Sequence, residues 1–175
     1  VELSPEMFDL MAEALRDGEL TGGAFDITVG PLARVWDAAR DGGGAPDAEA
    51  LAEARAYVGW EKITLDEEAG TVRFEREGME MDLGGIAKGY AADRGIGALE
   101  EAGVSAGLVN AGGDVRTLGR RPGGEPWRVG LRDPGGKAGG TSATLEVAGE
   151  AVTTSGDYEK FIQEGPERFS HIFDP

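Results

Sequence analysis

The sequence predicts an α+β fold in which helices flank an antiparallel or mixed sheet. Three observations lead to it. Helical periodicity is grouped early in the chain, and period-two alternation is grouped later, which separates it from a doubly wound sheet. The length of 175 residues suits a single domain with its own hydrophobic core.

The elements follow in order. Ser4-Pro5 opens a helix, with serine as N-cap and proline at the first helical position. Met7, Phe8, Met11, Ala14 and Leu15 recur at helical spacing, and Gly18 suits its end. Thr21-Gly22-Gly23 reads as a tight loop. A short helix over Pro31 to Arg40 carries Trp36, and Asp41 to Pro46 is a Gly-rich linker. Asp47 caps a further helix, Ala48 to about Tyr57. Lys62 to Leu65 and Thr71 to Phe74 alternate in period two about the turn Glu67-Glu68-Ala69-Gly70. Met79 to Leu83 reads as a third strand that breaks at Gly84-Gly85. A helix from about Ile86 to Ala102 presents Tyr90, Ile96 and Leu99 on its apolar side and stops at Gly103. Ala106 to Asn110 reads as a buried strand, followed by a turn at Ala111 to Asp114. Trp127 to Arg132, Ala143 to Val147, Ala151 to Ser155 and Phe169 to Phe173 complete the strands. Pro134 to Gly140 reads as a surface loop.

Charge narrows the function. Lys plus Arg number 17 against 33 Asp plus Glu, a formal net charge of -16. Nucleic acid is bound by clustered Lys and Arg, so it is not an expected partner. The same balance argues against peripheral binding to anionic lipid. No apolar run approaches the ~20 residues that span a bilayer, so no direct membrane span is expected in this chain. The absence of cysteine removes disulfides, thiolate metal sites and Cys nucleophiles together. Val1 is not an initiator methionine, and the chain is expected to be a processed, trimmed or partial sequence.

Four Gly-rich or polar segments sit at expected strand ends: Gly22 to Asp26, Asp82 to Tyr90, Asn110 to Asp114 and Thr154 to Tyr158. The second carries the most chemistry. Backbone N–H groups at a helix N-terminus favour anions, and paired glycines let the backbone approach a diphosphate closely. Lys88 adds a mobile positive charge in the first turn. Strand–Gly–Gly–helix junctions are also common structural punctuation, and neither a dinucleotide-binding G-x-G-x-x-G nor a Walker A loop is present. His171 is the single histidine. It is open to a structural role as a hydrogen-bonded side chain or to a catalytic one. Asp26, Asp82, Asp114 and Asp157 adjoin glycines or strand ends, where aspartate commonly bonds its own backbone. Trp36, Trp60 and Trp127 read as core.

Taken together and in order, these segments resemble the signatures of the ApbE family. Gly22-Gly23-Ala24-Phe25-Asp26-Ile27-Thr28-Val29-Gly30-Pro31-Leu32 with Trp36 is similar to the first. Asp82 through Tyr90 with Asp93 is similar to the second. The third spans Val109 to Asp114, Leu118-Gly119 and Trp127 to Pro134. Thr154 to Tyr158 and Ser170 to Pro175 complete the set. The resemblance runs almost end to end. It implies an FAD:protein FMN transferase, dependent on Mg2+, that moves FMN from FAD to a threonine hydroxyl of a target flavoprotein and releases AMP. By position it implies FAD contacts from Ala24, Phe25, Asp26, Asp82, Lys88 and Ile172. It also implies a Mg2+ ligand in the Gly85 carbonyl and His171 at the reacting centre. It implies action outside the cytoplasm, in the cell envelope.

The departures carry expectations of their own. Against the family's pattern, residues 1–175 form one ApbE-like domain expected to be incomplete at both ends. The family's N-terminal segment that helps hold the flavin, and its C-terminal segment with side-chain magnesium ligands, are expected to be lacking from these residues. Little transfer activity is therefore expected of these residues alone. The competing expectation is an FAD-binding module without transferase activity.

Overall fold

Ser4 and Asp47 cap their helices through side-chain oxygens. The Ser4 hydroxyl accepts from the Met7 N–H at 3.2 Å, and the Asp47 carboxylate accepts from the Ala50 N–H at 2.9 Å. Each replaces a partner that the first helical turn cannot supply. The computed structural model describes residues 1–135, 140–156 and 160–173. Their contacts fall into two compact units, Val1–Gly85 with Glu159–Pro175, and Ile86–Tyr158.

The first unit opens with α1 (Pro5–Leu20), α2 (Gly30–Gly42) and α3 (Ala48–Arg55). Leu10, Met11 and Ala14 bury the apolar stripe of α1. α1 runs two residues beyond Gly18, which is buried within the helix rather than terminal. A 3-10 turn at Trp60–Lys62 leads into β1 (Ile63–Asp66), which pairs antiparallel with β2 (Thr71–Phe74) in the register Ile63↔Phe74. The Glu2 bridge to Thr71 brings the N-terminus onto the edge of β2. The unit closes with a hairpin, β8 (Phe161–Glu164) and β9 (Glu167–Ser170), and Ile162 is buried beneath it.

The second unit packs α4 (Ala87–Glu101) beside a three-stranded sheet ordered β3-β4-β7. Its strands are β3 (Gly107–Ala111), β4 (Asp114–Leu118) and β7 (Ala151–Val152). Ala92, Ile96, Val115 and Val152 form its core. A separate hairpin joins β5 (Trp127–Arg132) to β6 (Thr141–Val147). Every ladder among the described residues is antiparallel, so the α+β expectation holds.

Several expected elements differ. Met79 to Leu83 joins no ladder among the described residues, and its Asp82 N–H bonds the Ile27 carbonyl at 2.7 Å. Its alternating apolar residues are half-buried by packing, which gives a strand-like pattern without a strand partner. β3 is half-exposed rather than buried, with Leu108 at 38%. β4 and β8 were not anticipated. The last strand ends at Ser170, short of the expected Phe173. Of the expected tryptophan core, Trp36 is buried while Trp60 and Trp127 are half-buried. The middle of the Pro134 to Gly140 loop, Asp157, Tyr158, Asp174 and Pro175 lie outside the described residues.

Candidate functional site

The loop after α1 is closed by its own backbone. The Gly23 N–H bonds the Gly18 carbonyl at 2.8 Å, and the Thr21 hydroxyl accepts from the Phe25 N–H at 3.0 Å. This turn carries the chain to Ala24, Phe25 and Asp26. Ala24 is exposed and Phe25 is half-buried.

Asp26 is engaged by the protein itself. Its Oδ1 accepts from the Thr28 N–H at 2.8 Å and from the Thr28 hydroxyl at 2.6 Å. Its Oδ2 accepts from the Trp60 N–H at 2.9 Å, at the start of the 3-10 turn. Thr28, which is fully buried, accepts in turn from the Gly59 N–H at 2.7 Å. This knot satisfies three backbone donors and one hydroxyl in a part-buried place, where an orphaned donor is costly. Asp26 therefore holds the Ala24–Asp26 loop in place, whatever else it touches.

The Asp82 segment lies against this loop. Besides the Asp82–Ile27 backbone bond, the Phe25 ring sits so close to Gly85 that a Cβ there would lie 3.0 Å from its Cε2. The Asp82 Oδ1 accepts from the Gly84 N–H at 2.7 Å, an Asx turn that bends the exposed chain toward α4. Gly84 to Ile86 form the turn, and Ile86 caps α4 with no side-chain hydrogen bond. The expected paired-glycine turn ahead of a helix is thus present, entered from irregular chain rather than from a strand.

His171 and Ile172 follow β9. The His171 Nδ1 lies 3.0 Å from the Lys160 carbonyl, and its ring centroid is 6.1 Å from that of Trp36. Ile172 is 54% exposed.

Lys88 belongs to the second unit. Its Nζ is 3.3 Å from the Asp114 Oδ2, and the Asp114 Oδ1 accepts from the Thr153 hydroxyl at 2.6 Å. The Lys88 stem passes over Gly112, where an added Cβ would sit 3.4 Å from its Cδ. Gly112 and Gly113, at φ 63° and 105°, form the two-residue turn between β3 and β4, a conformation that favours glycine at both places. The Asn110 side chain braces it by accepting from the Gly113 N–H at 2.8 Å.

Of the expected site residues, Ala24, Phe25, Asp26, Asp82 and Gly85 are thus brought together, and His171 with Ile172 stands in the same unit. Sequence reasoning missed Thr28, Trp60, Thr153 and Lys160 as partners of these groups. The spacing Asp26-x-Thr28 is a local signal for the first. The others act through tertiary contacts that no spacing encodes. No group of three or more His, Cys, Asp or Glu among the described residues is placed to hold a metal ion. One Gly85 carbonyl is not an oxygen cage for Mg2+, so the described residues by themselves do not fit that ion.

The model of the ApbE family matches residues 1–175. An FAD:protein FMN transferase from Klebsiella pneumoniae is 35% identical over 175 residues, covering 100% of this chain and 54% of the relative. The ApbE protein of Thermotoga maritima is 38% identical with a TM-score of 0.88, covering 99% of this chain and 56% of that one. The flavin transferase ApbE from Vibrio cholerae is 32% identical with a TM-score of 0.80, covering 99% and 55%. The chain spans about half the length of the curated relatives it matches.

Proposed function

The chain belongs to the ApbE family, and on that premise we propose that it carries the FAD-holding part of an FAD:protein FMN transferase. The threonine oxygen of an acceptor protein bonds to the phosphorus of the FMN half. The phosphoanhydride bond to the AMP half breaks, AMP leaves with the bridging oxygen, and the hydroxyl proton passes to a base. Such a reaction depends on positioning and on charge placed around the phosphates.

One observation carries this reading: the Gly84–Ile86 turn opens α4 without a side-chain cap. The first N–H groups of the helix are left for an anion, and a diphosphate is one that suits them. Lys88 stands in that first turn, paired with Asp114, and its charge can be shared with a phosphate. Phe25 against Gly85 gives an apolar wall beside the turn, and the resemblance implies further contacts from Ala24, Asp82 and Ile172. His171 serves the reacting hydroxyl. By the family resemblance alone, the reading takes a flavoprotein with a threonine as acceptor and a reaction outside the cytoplasm. Mg2+ belongs to the reading through the family resemblance alone, with the Gly85 carbonyl as one of its ligands.

A second reading, an FAD-holding module without transfer, is favoured by one observation: the described residues hold no metal-binding cluster. Fluorescence titration with FAD, followed by incubation with FAD, Mg2+ and a threonine-containing acceptor and by mass spectrometry, separates the two. A covalent FMN adduct on threonine supports transfer. Tight FAD binding without adduct selects the module. Failure to bind FAD overturns both.

A further inference from the structure

His171 is the only imidazole in the chain, and its surroundings treat its two nitrogens differently. Nδ1 faces the Lys160 carbonyl at 3.0 Å. A carbonyl oxygen only accepts, so this bond requires a proton on Nδ1. The neutral ring is then the Nδ1–H form, and the lone pair rests on Nε2. No partner for Nε2 is found among the described residues. The nearest polar hydrogen of an aromatic neighbour does not take it: the Trp36 indole N–H is itself buried without a partner among the described residues.

Trp36 supplies the second constraint. It is 4% exposed, on α2, and its ring meets the imidazole at 6.1 Å between centroids and 59° between planes, a tilted aromatic contact. The Arg40 guanidinium covers Trp36 at 5.3 Å from its ring centroid. The indole is thus a fixed wall beside a half-buried imidazole.

We propose that the Lys160 backbone carbonyl and the Trp36 ring position His171 as the Nδ1–H tautomer and present Nε2 as the proton acceptor for the attacking hydroxyl. Trp36 is a positioning residue that acts through the imidazole. The inference deepens the transferase reading and rests on it for the identity of the proton donor. The tautomer itself stands apart from that reading. Free histidine side chains favour the opposite form, with the proton on Nε2, so the assignment opposes the intrinsic preference.

A single histidine makes the test direct. Long-range 1H–15N correlation NMR of the labelled protein, at a pH where the ring is neutral, reads one imidazole without overlap. The expected result is a protonated-type Nδ1 and an unprotonated-type Nε2. An Nε2–H pattern, or an averaged one, overturns the proposal. Trp36→Leu is expected to move the ring toward the free-histidine pattern, and a folded Trp36→Leu protein with the wild-type pattern overturns the role of Trp36. Trp36→Phe, which keeps a ring against the imidazole, should retain the wild-type tautomer, and its loss there overturns the wall even if Trp36→Leu fails to fold. None of these readouts uses FAD or transfer. A wrong tautomer therefore sinks the inference and leaves the transferase reading standing. An Nδ1–H ring in a protein that does not bind FAD supports the positioning and counts against that reading alone.

Discussion

Asp26 and Asp82 begin from the same local device. Each accepts a hydrogen bond from the N–H two residues on, Thr28 at 2.8 Å and Gly84 at 2.7 Å. Their backbones are neighbours, joined by the Asp82–Ile27 bond. Beyond that they diverge. Asp26 spends its second oxygen on the Trp60 N–H and is backed by the fully buried Thr28. Asp82 is exposed, and its second oxygen has no described partner. One aspartate closes the loop and the other stands open ahead of the Gly84–Ile86 turn. The same residue in the same turn can thus be spent on the fold or left open, and the second oxygen decides which.

Four substitutions test that division. Asp26→Ala leaves the Trp60 and Thr28 N–H groups without acceptors. It should cost on the order of 3 kcal/mol of unfolding free energy, read as a lower denaturation midpoint at unchanged m-value. Thr28→Val keeps the shape but removes both the donor to Asp26 and the acceptor for Gly59. A loss of about 1–3 kcal/mol is expected in the same assay. Gly85→Ala presses a methyl group on the edge of the Phe25 ring, which can shift. About 1 kcal/mol should be lost, together with a measurable weakening of FAD in fluorescence titration. Asp82→Ala should change stability by less than ~0.5 kcal/mol, as at an exposed site away from the core. Its effect belongs to the ligand: roughly ten-fold weaker FAD binding, the worth of one charge-assisted contact after solvent screening. If Asp82→Ala destabilised the fold as much as Asp26→Ala, or left FAD affinity unchanged, the contrast would collapse.

What was legible in the sequence was what local chemistry fixes. The caps at Ser4 and Asp47, the β1–β2 hairpin and the turn before α4 each rest on residues within a few positions of one another. The ordered Gly-rich segments also sufficed to place the chain in its family. The misses share a different cause. Met79 to Leu83 alternates as a strand does, but a ladder needs a partner that the sequence does not name. β4 carries a clear inward pair, the buried Val115 and Thr117, yet Asp114 and Gly113 drew the reading toward a turn. β8 and β9 alternate on either side of Gly165-Pro166 and were read only in part. At the site, the candidate residues were nameable, but not the distinction between Asp26 and Asp82. That distinction depends on Trp60, 34 positions from Asp26.

The hairpin that brings in His171 belongs to a unit whose other part ends at Gly85. Glu164 reaches back to the Ala45 N–H across 119 positions of chain. Contacts of that span are penalised by the entropy of closing the intervening loop, and they slow folding more than they lower stability. The helices α1 to α3 and the Asp26 knot can form within the first 60 residues of the chain. The imidazole reaches its place beside Trp36 only after the whole intervening segment has been made. During synthesis the Asp26 knot can therefore form before the imidazole has been made.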